Sequence, residues 1–248
     1  MSSQRIADIC QWHPIIRITT KCTQSCEHCC FSCSPSQTRQ MSVEMAQQIS
    51  DFLNNHHIST IEIMGGEFIC NPNWYSIVET LSKNINSVRL VSNGDWLASS
   101  ERVIKLLKRN KQIKIAISKD KYHTNQNYVN ITKELETANI PYVIQSFELN
   151  EYGIVPIGRA QSYCGFYSYF GCYCKNPKYC SSCLVDEDGD VFYCPFGAWR
   201  VGNIQEVDIM EYLRDFNSAF DKSLIMSCSQ CLRVWSKVGE TKNGRSNN

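Results

Sequence analysis

Cysteine is unusually frequent in this chain of 248 residues and unevenly spread along it. There are 15 cysteines, and only Cys70 lies between Cys33 and Cys164. A disulfide framework is disfavoured, because the chain is long, the cysteine count is odd and no export signal is evident. Clustered cysteines in a reducing compartment point instead to bound metal, so thiolate-bound metal is predicted at both ends. The two groups are Cys22, Cys26, Cys29, Cys30 and Cys33, then Cys164, Cys172, Cys174, Cys180, Cys183, Cys194, Cys228 and Cys231.

Charge and hydropathy exclude several classes of function. The formal net charge of +1 gives no electrostatic reason to expect a nucleic-acid or membrane-surface partner. No apolar run approaches the roughly 18 residues that a membrane-spanning helix needs. The start of the chain lacks the apolar stretch and cleavage site of a secretion signal. We therefore expect a cytoplasmic protein that binds neither nucleic acid nor membrane.

Strand and helix patterns alternate along the first 160 residues. Short apolar runs predict strands at 15–19, 60–64, 88–91, 113–117 and 142–147, with 154–157 as a sixth candidate. Helical spacing predicts helices at 42–54, 75–82, 100–108 and 129–138, the first capped by Ser42. Strands joined by helices pair in parallel. The predicted fold class is therefore α/β, an open partial TIM-type barrel of about six β/α units, with a doubly wound sheet as the alternative.

The composition changes after residue 160. Residues 163–183 are rich in aromatics, glycine and cysteine, and residues 184–193 predict a β-hairpin around a turn at 187–190. An amphipathic run at 207–216 predicts a helix. The sequence thus predicts a core at 10–160, a small Cys-rich hairpin-plus-helix domain at 161–235 and a polar tail at 236–248.

The first predicted strand leads into a loop with C-x3-C-x2-C spacing, formed by Cys22, Cys26 and Cys29. Ligands of parallel sheets bind beyond the carboxyl ends of the strands, which is where this loop begins. Three thiolates leave one iron of a four-iron cluster without a protein ligand, so that a substrate or cofactor can coordinate it. A zinc loop is the alternative. Cys30 and Cys33 add a second C-x2-C, as further ligands or as free thiols.

A second motif, Met-Gly-Gly-Glu at residues 64–67, ends the second predicted strand. Together the two motifs resemble the radical S-adenosylmethionine (radical SAM) superfamily. The resemblance implies that the three cysteines hold a 4Fe-4S cluster whose open iron is chelated by S-adenosylmethionine. It implies that the reduced cluster cleaves this cofactor to a 5′-deoxyadenosyl radical. It also implies that Gly65, Gly66 and Glu67 lie at the methionine amino group, where glycine permits close backbone approach and a carboxylate suits an ammonium.

Further positions fit the same resemblance as cofactor-binding residues. Ser92 and Asn93 end the third predicted strand, where related enzymes approach the cofactor. Ser118 ends the fourth, at a position associated with the ribose or carboxylate, although a plain loop serine fits as well. His28 stands where the family commonly places an aromatic ring against adenine, and imidazole departs from the usual Tyr, Phe or Trp.

Polar residues after the fourth strand are the candidates for catalysis. Asp120, Tyr122 and His123 could bind substrate or remove a proton, with an exposed loop as the alternative. Arg159 lies in a Pro-x-Gly-Arg-Ala segment similar to one that recurs in related enzymes. The resemblance suggests that it binds a carboxylate or phosphate of the substrate.

The carboxy-terminal cysteines resemble the ligands of an auxiliary iron–sulfur cluster. A hairpin followed by a cysteine, a helix and a closing C-x2-C is similar to the SPASM extension of these enzymes, and more so to its short form, called twitch. The implied ligands of one auxiliary cluster, expected to be 4Fe-4S, are Cys194, Cys228 and Cys231 plus one of Cys174, Cys180 and Cys183. Structural zinc is the alternative, and Cys164, Cys172 and Cys174 leave room for a further metal.

The resemblance implies hydrogen abstraction from an unactivated C–H bond, and two substrate classes remain open. One is a ribosomally made peptide, modified by a crosslink, epimerisation or oxidation; the other is a small molecule such as an aminocyclitol, which would be dehydrogenated. Expected partners are an external reductant such as flavodoxin or ferredoxin and a separate leader-peptide-binding protein, since only about 20 residues precede Cys22. A zinc-stapled binding module without catalysis is the alternative from another class.

Overall fold

A computed structural model describes residues 13–123, 127–145, 158–159, 183–192 and 200–206. Within these residues, eight strands form one sheet and four α-helices pack against it. The strands are β1 (Ile15–Arg17), β2 (Thr60–Met64), β3 (Ser87–Ser92), β4 (Ile113–Ser118), β5 (Tyr142–Gln145), β6 (Leu184–Val185), β7 (Asp190–Phe192) and β8 (Arg200–Asn203). The helices are α1 (Val43–Asn55), α2 (Trp74–Ser82), α3 (Ser100–Arg109) and α4 (Tyr128–Thr137).

The sheet has the strand order β5-β4-β3-β2-β1-β6-β7-β8. Strands β1 to β5 are parallel neighbours, and a helix lies between each consecutive pair along the chain. Parallel pairing requires such crossovers, and it brings the carboxyl ends of these strands to one edge of the sheet. None of the described helices is long and apolar enough to cross a membrane.

The hydrophobic core lies between one face of the sheet and the helices. Buried and half-buried residues alternate along β2 and β3, as expected when side chains point to opposite faces of a strand. The buried apolar members of both strands belong to one cluster with the inner faces of the helices. On the other face, Glu62 and Arg89 form an ion pair of 2.6 Å across β2 and β3. The core cluster includes Ile61, Ile63, Val88 and Leu90 from the strands and Ile49, Leu53, Ile77, Leu81, Val103, Leu106, Ile131 and Leu135 from the helices.

Most of the elements predicted for the core are confirmed, with ends that differ by a few residues. The first helix begins at Val43, and the Ser42 side chain caps it by accepting a hydrogen bond from the Met45 amide. Strand β1 is shorter than predicted and ends at Arg17, whereas residues 146–147 of the fifth predicted strand lie outside the described residues. The sixth strand predicted at 154–157 and the helix predicted at 207–216 lie outside the described residues.

The predicted hairpin is confirmed as β6 and β7, which pair antiparallel. Two features go beyond the prediction: β8 continues the hairpin, and β6 pairs in parallel with β1. The hairpin therefore extends the sheet of the core, and it covers an edge of β1 that would otherwise leave backbone groups unpaired. The predicted domain limits at 160 and 235 remain predictions.

A group of four charged residues, three of them buried, holds the hairpin against β1. Arg17 contacts Asp186 at 3.5 Å and Glu187 at 2.9 Å, and Arg39 contacts the same two carboxylates at 3.1 and 2.8 Å. Arg17, Asp186 and Glu187 are all more than nine-tenths buried. Burial and the neighbouring Glu187 raise the pKa of Asp186. We call these four residues the Arg17 cluster. It links the turn of the hairpin to both ends of the loop between β1 and α1.

Replacing Arg17 with methionine should lower the free energy of unfolding by about 3 kcal/mol, because two buried carboxylates then lose a counter-charge. Arg200 is a matched control: it pairs with Asp190 at 2.8 Å, but its side chain is 51% exposed. Arg200→Met should cost less than about 1 kcal/mol. Urea denaturation of both variants measures the difference, and equal losses would contradict a stabilising role for the buried pairs.

Candidate active site

The loop between β1 and α1 carries the first group of cysteines at the carboxyl end of the sheet. We call residues 21–34 the cysteine loop, because a bridge between Lys21 and Ser34 closes it. The Cys22 amide donates to the Ser34 carbonyl at 3.1 Å, and the Cys29 amide donates to the Cys26 carbonyl at 3.2 Å. These hydrogen bonds give the loop a compact backbone.

The thiols of the cysteine loop differ in burial and acidity. Cys22 and Cys26 are more than nine-tenths buried, and Cys29 is half-buried. Burial raises the pKa of Cys22 to about 12. A hydrogen bond from Cys33 lowers the pKa of Cys29, while the same bond and burial raise that of Cys33. Cys33 therefore supports a thiolate at Cys29, a contact that the spacing of the cysteines does not predict.

The three cysteines of the C-x3-C-x2-C motif do not converge on a single ion. At a Zn–S distance of about 2.3 Å, tetrahedral zinc needs its sulfurs roughly 3.8 Å apart. Among the described residues, the groups of three ligand atoms that lie within 4.8 Å of one another contain no cysteine. The thiols as they stand are therefore not arranged as a mononuclear zinc site.

Gly66, after β2, lies directly against the cysteine loop, and Gly65 lies against Thr19, just before that loop. A Cβ atom on Gly66 would lie 2.4 Å from the Lys21 carbonyl oxygen and 2.7 Å from the Cys22 Cβ. Only glycine permits this approach. The Gly66 amide donates to the Thr19 carbonyl at 2.8 Å. The structure thus brings the two sequence motifs into direct contact.

Glu67, Ser92 and Asn93 form a buried hydrogen-bond network beneath the loop. The Ser92 hydroxyl donates to the Glu67 carboxylate at 3.0 and 3.1 Å, and the Asn93 amide donates to it at 2.8 Å. The Trp96 indole donates to Ser92 at 2.8 Å. The Asn93 side-chain amide points to the Cys22 sulfur at 3.6 Å. Burial raises the pKa of Glu67 to about 8. These predicted cofactor residues act here as one network that ends at Cys22.

The predicted catalytic residues surround His28. Asp120 contacts His123 Nδ1 at 2.9 Å and lies 3.7 Å from His28 Nε2. The His28 ring centroid is 5.1 Å from Tyr122 and 5.0 Å from His123. Burial would raise the pKa of Asp120, but hydrogen bonding and charge from His123 outweigh it and hold that pKa below its usual value. Burial lowers the pKa of His28.

Of the other predicted site residues, Ser118 is buried at the carboxyl end of β4. Arg159 lies against the cysteine loop, and its side chain donates to the Cys26 carbonyl at 3.0 Å. Cys183 precedes β6 and is 2% exposed within the apolar core, and burial raises its pKa to about 12. The remaining predicted auxiliary ligands and spare thiols fall outside the described residues, namely Cys164, Cys172, Cys174, Cys180, Cys194, Cys228 and Cys231.

Comparison with known families agrees with this geometry. The profile of the Radical SAM superfamily matches residues 16–155, which is more than half of the chain. The chain belongs to the radical SAM superfamily. Membership implies an enzyme with a 4Fe-4S cluster that works with S-adenosylmethionine.

Individual relatives match parts of the chain. YydG of Bacillus subtilis (strain 168), whose name assigns it to peptide biosynthesis, is 31% identical over 113 residues, 44% of this chain and 35% of YydG. The chain therefore matches about a third of the length of this curated relative. Among solved structures, BtrN in complex with AdoMet and 2-DOIA has a TM-score of 0.61 at 17% identity, covering 84% of this chain and 86% of BtrN. Native anSMEcpe with bound AdoMet and Cp18Cys peptide has a TM-score of 0.58 at 16% identity, covering 85% and 82%. At these identities the likeness shows a shared fold.

The buried Glu67 should make stability depend on pH. Its carboxyl stays protonated in the folded state up to about pH 8 but ionises near 4.5 when unfolded. As pH rises, the unfolded state therefore releases this proton before the folded state does. The free energy of unfolding should fall between pH 4.5 and about pH 8. A shift of one pKa unit is worth about 1.36 kcal/mol, so the fall should amount to a few kcal/mol. Glu67→Gln should remove this part of the fall.

Urea denaturation at several pH values between these limits measures the effect. Glu79→Gln is the control, because this carboxylate lies 3.7 Å from Arg109 at the surface. If Glu67→Gln and wild type lose stability equally with rising pH, Glu67 does not carry the proton described here.

Proposed function

We propose that the protein is a peptide-modifying radical SAM enzyme whose 4Fe-4S cluster is held by Cys22, Cys26 and Cys29. The observation that carries the proposal is the contact between the cysteine loop and Gly66 at the carboxyl end of a radical SAM sheet. Membership of the radical SAM superfamily supports a cluster over the alternative of a zinc-stapled binding module.

The chain supplies alignment around the cluster. When bound, the reduced cluster and S-adenosylmethionine together supply a radical that abstracts hydrogen from a C–H bond. Gly65 and Gly66 would let backbone approach the cofactor closely. Glu67 accepts a hydrogen bond from the Asn93 backbone amide, while the Asn93 side-chain amide points to Cys22. His28 offers a half-buried ring at the position expected for adenine. Ser118 is the last residue of β4 and lies at the same carboxyl edge of the sheet as the cysteine loop.

Asp120 and His123 are arranged to move a proton at the substrate. Their contact of 2.9 Å lets the Asp120 carboxylate hold the proton on Nδ1, which leaves Nε2 of His123 to accept one. The Tyr122 ring packs against the His28 ring beside this pair, with the two ring centroids 5.1 Å apart. Proton removal beside a radical centre fits an oxidation or a crosslink, both of which release protons from the substrate.

The auxiliary cluster remains part of the proposal, with Cys194, Cys228 and Cys231 as three of its ligands. Cys183 is packed in the apolar core, so Cys174 and Cys180 are the better candidates for the fourth ligand. Four thiolates leave no open iron, which suits an electron relay or a structural role.

A peptide substrate is supported by the resemblance to YydG, which is named for peptide biosynthesis. A flavodoxin or ferredoxin would supply electrons, and a separate protein would bind the leader peptide. Dehydrogenation of a small molecule such as an aminocyclitol is the competing outcome.

Coexpression with each short reading frame that flanks the gene tests the substrate class by mass spectrometry of the peptide. Loss of two hydrogen atoms is expected for an oxidation or crosslink. Uptake of one deuterium from heavy water without that loss indicates epimerisation instead. Unchanged peptides, together with turnover of an aminocyclitol, would overturn the peptide proposal.

Anaerobic reconstitution tests the cluster. Wild type should bind iron and sulfide and form 5′-deoxyadenosine from S-adenosylmethionine with dithionite. Alanine at Cys22, Cys26 or Cys29 should abolish that product and lower the iron content by one cluster, while absorbance from an auxiliary cluster persists.

Cys70→Ala is the matched control, because Cys70 is a half-buried thiol in the short helix after β2 and lies outside the cysteine loop. It should keep both iron content and product. Cofactor cleavage that survives in all three loop variants would show that the ligand assignment is wrong, and colourless zinc-loaded protein would favour the binding module.

A further inference from the structure

Arg159 reaches the cysteine loop from a distant part of the chain, 126 residues beyond Cys33. Its backbone amide donates to the Cys29 carbonyl at 3.1 Å. Its guanidinium donates through Nε to the Cys26 carbonyl at 3.0 Å, and through Nη2 to the Cys33 carbonyl. Arg159 therefore donates hydrogen bonds to three carbonyl groups of the loop, and two of these carbonyls belong to proposed cluster ligands.

The preceding residue explains how Arg159 comes so close. Gly158 has a φ of +63°, and a Cβ atom there would lie 2.4 Å from the Cys30 carbonyl oxygen. A side chain is excluded both by this contact and by the left-handed backbone. The Gly158-Arg159 pair is thus shaped to fit the loop, which differs from the substrate-binding role that the resemblance suggested.

The charge of Arg159 is uncompensated within the described part of the chain. Arg17 and Arg39 both pair with Asp186 and Glu187, whereas none of the described carboxylates lies within 4.0 Å of Arg159. Carbonyl oxygens satisfy its donors but do not neutralise it. A half-buried guanidinium without a carboxylate is stabilised by a neighbouring anion. Three cysteine thiolates on the same loop would supply one.

We propose that Arg159 is a positioning residue that clamps the cysteine loop and provides a counter-charge for the cluster bound there. This inference rests on the proposed function of Cys22, Cys26 and Cys29. A nearby positive charge favours the reduced, more negative cluster, and net charge and hydrogen bonding are known to set such potentials. The clamp should also slow the loss of iron, because the fork of the guanidinium joins two separate points of the loop.

Two substitutions separate the charge from the clamp. Arg159→Gln removes the charge, and Arg159→Lys keeps the charge but loses the fork of donors. Redox titration followed by electron paramagnetic resonance measures the midpoint potential, and the signal that changes on addition of S-adenosylmethionine identifies the cluster of the loop. A ferrous chelator under anaerobic conditions measures the rate of iron loss. Arg102→Gln is the matched control, because Arg102 stacks on the rings of Trp74 and Tyr75.

For Arg159→Gln we expect the equilibrium constant for reduction to fall about tenfold, equivalent to about 59 mV for one electron. Arg159→Lys should keep the wild-type potential but lose iron several-fold faster, and Arg102→Gln should change neither. If both Arg159 variants match wild type in potential and iron loss, the inference is wrong. If Arg159→Gln does not fold, the test depends on Arg159→Lys alone. A midpoint potential shifted from wild type in Arg159→Lys would contradict the counter-charge role. An unchanged rate of iron loss would contradict the clamping role. Wild-type protein that binds no cluster would instead overturn the proposed function.

Discussion

The close approach of Gly66 to the cysteine loop is the constraint on which the rest of the site depends. With no Cβ at Gly66, two backbone hydrogen bonds continue the pairing of β1 and β2 beyond the strands, from Gly66 to Thr19 at 2.8 Å and from Glu67 to Lys21 at 3.0 Å. The loop therefore leaves the sheet at a fixed position. Any larger residue at Gly66 would push the backbone of Lys21 away and move Cys22 with it. The positions of the thiols thus follow from the sheet.

Buried polar groups fix the loop from several sides. Below it, Glu67 joins the ends of β2 and β3 and orients Asn93 toward Cys22. At its two ends, the Arg17 cluster ties β1 and Arg39 to the hairpin turn. Burying such groups is costly unless each has a partner, so only the arrangement that satisfies all of them is stable. Apolar packing builds the sheet and helices, whereas these polar contacts give the loop a single orientation.

The fold of the core could be predicted because its apolar residues repeat with clear periods, as in Ile61 and Ile63 on β2. The cysteine and glycine motifs could likewise be found, since each occupies a few consecutive residues. Contacts between distant segments could not. Nothing local to Arg159 shows that it meets Cys26, and nothing in the spacing of His28 and Asp120 shows that they lie 3.7 Å apart. The same holds for the parallel pairing of β6 with β1, because two-residue strands carry almost no periodic signal.

The pairing of β6 with β1 also orients the hairpin relative to the site. Ile15 and Ile16 pair with Leu184 and Val185, so Cys183 lies at the amino end of the sheet, while Cys22 follows its carboxyl end. At a rise of about 3.3 Å per residue, the seven residues from Ile15 to Cys22 span at most roughly 23 Å. The hairpin therefore joins the core beside β1, with Cys183 and the cysteine loop at opposite ends of that strand. Between the two ends runs the polar face of the sheet, where Glu62 pairs with Arg89.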